Sequence, residues 1–156
     1  MVALDRQFVV TQSHVERASK AAFVAWHHMA RPWRRYGAYV LGGLIAVWFS
    51  GQGAAAVLIP MAIAADAVTR YRACVADTRT QEPVGTAIAL GFGEDAFAYR
   101  TWTQSGQVPY SAVQKVIPSH GCLVIVALSE HVFWALPAEL VPSEARLRMS
   151  GVPAGA

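Results

Sequence analysis

Charge is scarce in this chain. Only 15% of its 156 residues are Asp, Glu, Lys or Arg, against 54% hydrophobic. From position 36 to position 65, thirty consecutive residues carry no charged side chain and no histidine. A water-exposed domain rarely needs such a run. A bilayer segment does, because each charge near the membrane centre costs roughly 2.5–3.5 kcal/mol on insertion scales. Cysteine is scarce too. Cys74 and Cys122 have no metal-ligand spacing and read as free thiols of a reducing compartment. No secretory leader is expected, since Asp5, Arg6 and Gln7 precede only the short apolar run Phe8-Val9-Val10. There are no repeats, and the one biased tract is the Gly/Ala/Pro tail at 151–156, which is expected to fray. The length leaves room for one modest domain beside the apolar run.

As one helix, the thirty residues would extend roughly 45 Å, beyond a hydrocarbon core of about 30 Å. Ser50-Gly51-Gln52-Gly53 interrupts them with a polar, glycine-punctuated turn. The pattern therefore predicts a two-helix transmembrane hairpin over residues 32–72, with Pro32 in its first turn. Each arm covers about eighteen residues, or roughly 27 Å, and its terminal arginines snorkel to the headgroups. Trp33, Tyr36 and Tyr39, then Trp48 and Phe49, then Tyr71 fall where an aromatic belt lies. The rival is a re-entrant or interfacial hairpin that never crosses.

Six of the thirteen basic residues, Arg31, Arg34, Arg35, Arg70, Arg72 and Arg79, flank the outer ends of the hairpin, and the turn has none. The positive-inside rule then predicts a multi-pass protein of the plasma (inner) membrane with both termini cytoplasmic. Arg31, Trp33, Arg34, Arg35, Trp48, Asp66, Arg70 and Arg72 are its expected membrane-interface residues. The net charge of +3 is explained by topology and anionic headgroups, so no nucleic-acid partner is expected. Asp66 is the one carboxylate at the edge of the run. Four residues before Arg70, it reads as an interfacial i,i+4 ion pair, against the functional reading that any intramembrane ionisable group invites.

Residues 1–31 read as a short strand and an amphipathic helix. Ser13 and Glu16 have capping-box spacing, and Val15, Ala18, Ala22, Trp26 and Met29 line one face of a helix over 14–29. His27 and His28 point about 100° apart on a helix and cannot chelate one ion together, and His14 reads as a solvated or interfacial histidine. Residues 73–83 turn polar and read as a helix end and linker. Beyond Pro83 the period becomes two. Runs at 84–92, 96–102, 108–110, 113–118, 122–128 and 131–136 alternate with turn signals, which predicts an antiparallel meander. The run 122–128 is apolar on both faces, as a central strand should be. A helix over Ser143–Met149, capped by Ser143, closes the unit. Such a curled sheet closed by a helix, over 84–150, has the shape of pleckstrin-homology-like domains.

Few residues offer chemistry. Ser111, His120, Glu130 and His131 lack a nucleophile elbow or any other mechanistic context. Ser111 reads as a turn residue, and the two histidines as turn-edge residues. His120, Cys122 and His131 give three zinc ligands without a fourth or a knuckle spacing. Gly91-Phe92-Gly93 lacks the third glycine and following helix of a phosphate cradle. No catalytic residue, cofactor or metal is expected.

The order of elements resembles the YcxB-like family of bacterial membrane proteins over residues 8–149. The local pattern is Tyr110-Ser111-Ala112-Val113-Gln114-Lys115-Val116, followed by Leu136-Pro137 before the closing helix. The family often has Trp where Tyr110 stands, and a basic residue where Ala138 follows Pro137. The resemblance implies an N-terminal strand and helix, a membrane hairpin and a cytoplasmic pleckstrin-homology-like domain, and it implies no reaction. Tyr110, Ser111, Val113, Val116, Leu136 and Pro137 are its motif positions. The resulting expectation is an α+β membrane protein with an N-terminal helix, a transmembrane hairpin and an antiparallel β domain closed by a C-terminal helix. It is read as a non-enzymatic module that binds a protein or lipid partner beside the bilayer, of open oligomeric state. The alternative is a membrane-surface enzyme.

Overall fold

The computed structural model of the chain describes residues 2–29, 32–50, 54–127 and 133–150. In chain order they form β1 (Arg6–Val9), α1 (Gln12–Met29), α2 (Pro32–Ser50), α3 (Ala54–Gln81), β2 (Ala87–Phe92), β3 (Ala96–Arg100), β4 (Ser105–Pro109), β5 (Val113–Ser119), β6 (Cys122–Ala127), β7 (Phe133–Pro137) and α4 (Ser143–Met149). Single 3₁₀ turns stand at Tyr110–Ala112 and Ala138–Leu140. Every strand pairing is antiparallel, in two sheets ordered β1-β2-β3-β4 and β5-β6-β7.

The N-terminal segment belongs to the β unit. Phe8 stands opposite Ile88 as β1 extends the first sheet, while α1 lies over the second. Thr11 starts α1: its hydroxyl accepts a hydrogen bond from the His14 N–H (3.2 Å) and contacts the Ser13 hydroxyl (2.9 Å). The cap thus sits two residues before the expected Ser13. Ala18, Ala21 and Ala25, spaced by three and four, bring α1 close to Ile117, Cys122, Val124 and Val126. The other face of β6, Leu123, Ile125 and Ala127, enters the core between the sheets with Ile88, Leu90, Phe97 and Val108. Strand β6 is therefore covered on both sides, which is why its sequence is uninterruptedly apolar. Phe97 anchors the inter-sheet core, with Trp134 edge-on at 5.7 Å.

Helix α4 closes that core with Ala145 and Met149. Ser143 is its first residue and Pro142 takes the cap position without a side-chain bond, so Ser143 is not the cap. The helix is tied down instead by arginines. Arg146 donates to the Val141 carbonyl at 3.0 Å and to that of Ala138, and Arg148 Nη1 donates to the carbonyls of Gly93 (3.2 Å) and Glu94 (3.0 Å).

Helices α2 and α3 lie on either side of residues 51–53, with Ile59 packed where a Cβ on Gly43 would sit. Residues 73–81 continue α3, where a linker was expected to begin, because this end of the helix packs on α1. Tyr71 meets Phe23 edge-on at 5.9 Å, and the Arg70 guanidinium lies over Trp26 at 4.2 Å.

The expectation of an α+β membrane protein with a transmembrane hairpin over 32–72 is overturned here. Among the described residues no helix is long and apolar enough to cross a membrane. The turn divides the uncharged run, leaving residues 36–50 of α2 (~22 Å) and 54–65 of α3 (~18 Å), each short of a ~30 Å core. Arg34 and Arg35 open α2, and Asp66, Arg70, Arg72, Asp77 and Arg79 occupy the rest of α3. The multi-pass inner-membrane placement, with both termini cytoplasmic, is corrected with it. The expected arms reached ~27 Å only by counting their arginine-bearing ends; the uncharged length within each helix is shorter.

Candidate functional site

Pro109 ends β4 with φ −66°, and the chain makes one 3₁₀ turn before β5, in which the Val113 N–H donates to the Tyr110 carbonyl. Tyr110 is buried. Its N–H donates to the Asp95 carbonyl (2.8 Å) and its hydroxyl to the Gly93 carbonyl (3.1 Å). Burial pushes its phenol pKa up, opposed by the Arg148 charge, so the hydroxyl is a neutral donor at physiological pH. Tyr110 and Arg148 thus hold the same Gly93 carbonyl, fixing the start of β5 and the end of α4 to the β2–β3 turn.

Between β5 and α4 opens a cleft of about 610 Å³. Val113, Val116 and Met149 supply its apolar surface, and Ser111, Gln114, Lys115, Arg148 and Ser150 its polar one. Among the described residues, two cations and no carboxylate line it. The cleft runs along a sheet edge that is free among the described residues, where β5 pairs only with β6. His120 (φ 49°) and Gly121 (φ 73°) make the β5–β6 connection a two-residue turn with both residues left-handed, the geometry suited to hairpin twist. Ser119–Cys122 is then the first hydrogen-bonded pair, and strict alternation makes Pro118–Leu123 and Val116–Ile125 non-hydrogen-bonded pairs. Pro118 agrees, having no N–H to give β6. The Val116 N–H and C=O consequently face away from β6, towards the open edge. An irregularity at Gln114 shifts the register just before it.

The structure divides the motif positions. Tyr110, Ser111, Val113 and Val116 all line the cleft, with Ser111 exposed. Leu136 and Pro137 are buried at the far side of the second sheet, on β7. Of the residues expected at a membrane interface, the described ones lie on α2 and α3. Arg34 is exposed on α2, and Trp48 near its end is 85% exposed. Asp66 accepts from Arg70 Nε at 3.1 Å, an i,i+4 pair. Arg72 lines a groove of about 490 Å³ between α1 and α3, with Glu16, Lys20 and Arg79. Arg31 lies outside the described residues, as do the side chains of Trp33 and Arg35.

Of the histidines, His120 is exposed and 2.8 Å from the Ser119 hydroxyl, and His131 and Glu130 lie outside the described residues. Cys122 faces α1, where burial pushes its thiol up to about 11. Among the described residues no three His, Cys, Asp or Glu side chains are grouped to hold a metal ion. Gly91 sits in β2 because the Ala3 carbonyl occupies the place of its Cβ.

Sequence reading missed Gln114, Lys115, Met149, Ser150 and the cleft role of Arg148. Their one local signal was Pro118, which marks an edge strand; which helix lies beside that edge has no local signature. It also missed His14, expected to be solvated or interfacial. His14 is 2% exposed and its Nε2 lies 2.8 Å from Glu82 Oε2. Comparison with protein-family models, with curated proteins and with solved structures gives no match.

Proposed function

We propose that this protein is a non-enzymatic binding module that takes up a partner in the β5–α4 cleft. The observation that carries the reading is the coincidence of the large concave surface with a free strand edge, an apolar floor and two uncompensated cations. The arrangement of four and three antiparallel strands closed by α4 supports the pleckstrin-homology-like resemblance, and the cleft takes in four of the six motif positions. A photo-crosslinking residue at Ser111, compared with one at the exposed Gln104, tests the site. Crosslinks concentrated at position 111 are expected. Equal labelling at both positions, or an enzymatic turnover lost with Ser111→Ala in the folded protein, overturns the reading.

The hairpin supports a second partner, lipid, met without crossing. Leu41, Leu44 and Trp48, spaced by three and four along α2, and Leu58 and Met61, three apart on α3, are all largely exposed, and exposed apolar stripes of this kind mark an interaction site. Uncharged arms of ~18–22 Å fit one leaflet, about half of a ~30 Å core, with the arginines left at the headgroups. Trp48 fluorescence is the reporter, with the other tryptophans replaced by Phe. Its emission should shift to the blue with vesicles containing anionic lipid, and unchanged emission refutes the contact.

A further inference from the structure

Resting on the cleft reading above, we infer that the partner is an extended, acidic peptide segment of another protein, added as a strand to the free edge of β5. Backbone geometry and charge point to the same occupant. At Val116 both main-chain groups face outward, a donor and an acceptor spaced to pair with one residue of an incoming strand. Pro118 presents only its carbonyl, so pairing ends there and the added strand is short.

Alternate side chains of an extended peptide point to opposite sides. One set meets Val113, Val116 and Met149; the other meets the rim, where Lys115 and Arg148 are the only charged residues among the described ones that line the cleft. Arg148 keeps its carbonyl partners on the β2–β3 turn. Those carbonyls leave its positive charge uncompensated. Lys115 is exposed on the strand itself. A peptide alternating aliphatic residues with Glu or Asp satisfies both sets at once, whereas a basic peptide places like charges together.

The test uses the full chain and a fluorescein-labelled twelve-residue peptide alternating Val and Glu, read by anisotropy. Three further probes are the Val/Lys counterpart, the Val/Glu peptide N-methylated at alternate residues, and vesicles of phosphatidylcholine with and without phosphatidylinositol bisphosphate. The Val/Glu peptide should bind and its Val/Lys counterpart should not. N-methylation in one of the two alternating registers should abolish binding, and Lys115→Glu should weaken it roughly tenfold or more. Val116→Pro, which deletes the outward N–H, should also lose binding. If that variant fails to fold, the N-methylated peptides still decide, because they leave the protein untouched. Binding indifferent to both methylation registers, or no binding of the acidic peptide, overturns the inference. Vesicle binding that Lys115→Glu weakens, in the absence of peptide binding, makes the cleft a headgroup site, so the cleft reading survives and the peptide falls. If no probe binds and position 111 does not crosslink, both fall together.

Discussion

His14 Nε2 and Glu82 Oε2 stand 2.8 Å apart and join the first turn of α1 to the residue that follows α3. His14 also meets Phe8 edge-on at 4.9 Å, so three separate chain segments converge on one imidazole. Removing the ring by His14→Ala leaves the Glu82 carboxylate without this partner and opens a gap under β1. A loss of about 1–3 kcal/mol is expected. Glu82→Gln retains an oxygen acceptor and should cost less than about 1 kcal/mol. Urea unfolding compares them, and a Glu82→Gln loss as large as that of His14→Ala would show that the carboxylate charge, and not ring packing with an oxygen acceptor, carries the contact.

That pair also shows where a sequence stops being legible. Turn chemistry is local, so Ser119-His120-Gly121 marked a hairpin. The unbroken apolar stretch of β6 marked a strand covered on both faces, and both features are found. Pairings between distant segments leave no such trace. Nothing in Arg6–Val9 announces that β1 joins β2, or that Ala18, Ala21 and Ala25 face β6 rather than solvent or lipid. The uncharged run of 36–65 was legible as apolar, but what it can cross depends on where the helix breaks. The tyrosine-serine motif marks the turn before β5, at the mouth of the cleft. Its partners on α4 are set by tertiary packing.

Burial pushes the Cys122 thiol from its ordinary 9.0 to about 11. The sign follows from the two states. Below pH 9 the thiol is protonated whether the chain is folded or not, and burial has no proton-linked effect. Between about 9 and 11 the unfolded chain loses the proton first, so the contribution of Cys122 to stability falls as pH rises. Cys74 is also raised, by burial and by Asp77, but it is partly exposed. Alkylation by iodoacetamide at pH 8 should therefore modify Cys74 first, and Cys122 should react only on opening of the α1 interface. Peptide mapping showing Cys122 as the faster site would contradict this placement.

A Cβ at Gly91 would overlap the Ala3 carbonyl oxygen and approach the Val2 side chain. Gly91→Ala should therefore displace the N-terminal residues while the inner strands keep their pairing. Hydrogen exchange is expected to quicken over residues 3–8 and to stay slow over Cys122–Ala127, the fully buried central strand. An effect spread evenly over both sheets would mean that Gly91 serves the β2–β3 pairing and not the approach of the N-terminus.

The two-sided cover of β6 makes a stronger demand on the first thirty residues. Without α1, Ile117, Cys122, Val124 and Val126 lose the helix that shields them. Without β1, an edge of β2 carrying Ile88 and Leu90 is unpaired. Fully exposing a single Val or Ile side chain costs about 1.5–3 kcal/mol, so losing several costs as much as the whole stability of a small domain, about 5–15 kcal/mol. A fragment of residues 84–150 should therefore lack a cooperative thermal transition. Restoring the N-terminal segment without the hairpin should restore it. His14 and Met29 are separated by ~22 Å along α1, and a flexible Gly/Ser linker of about fifteen residues has a root-mean-square reach of about 21 Å. Residues 2–29 joined by that linker to 82–150 should accordingly fold and unfold as one unit in calorimetry. Cooperative unfolding of 84–150 alone, at the same midpoint as the joined chain, would show that β1 and α1 decorate the β unit without completing its core.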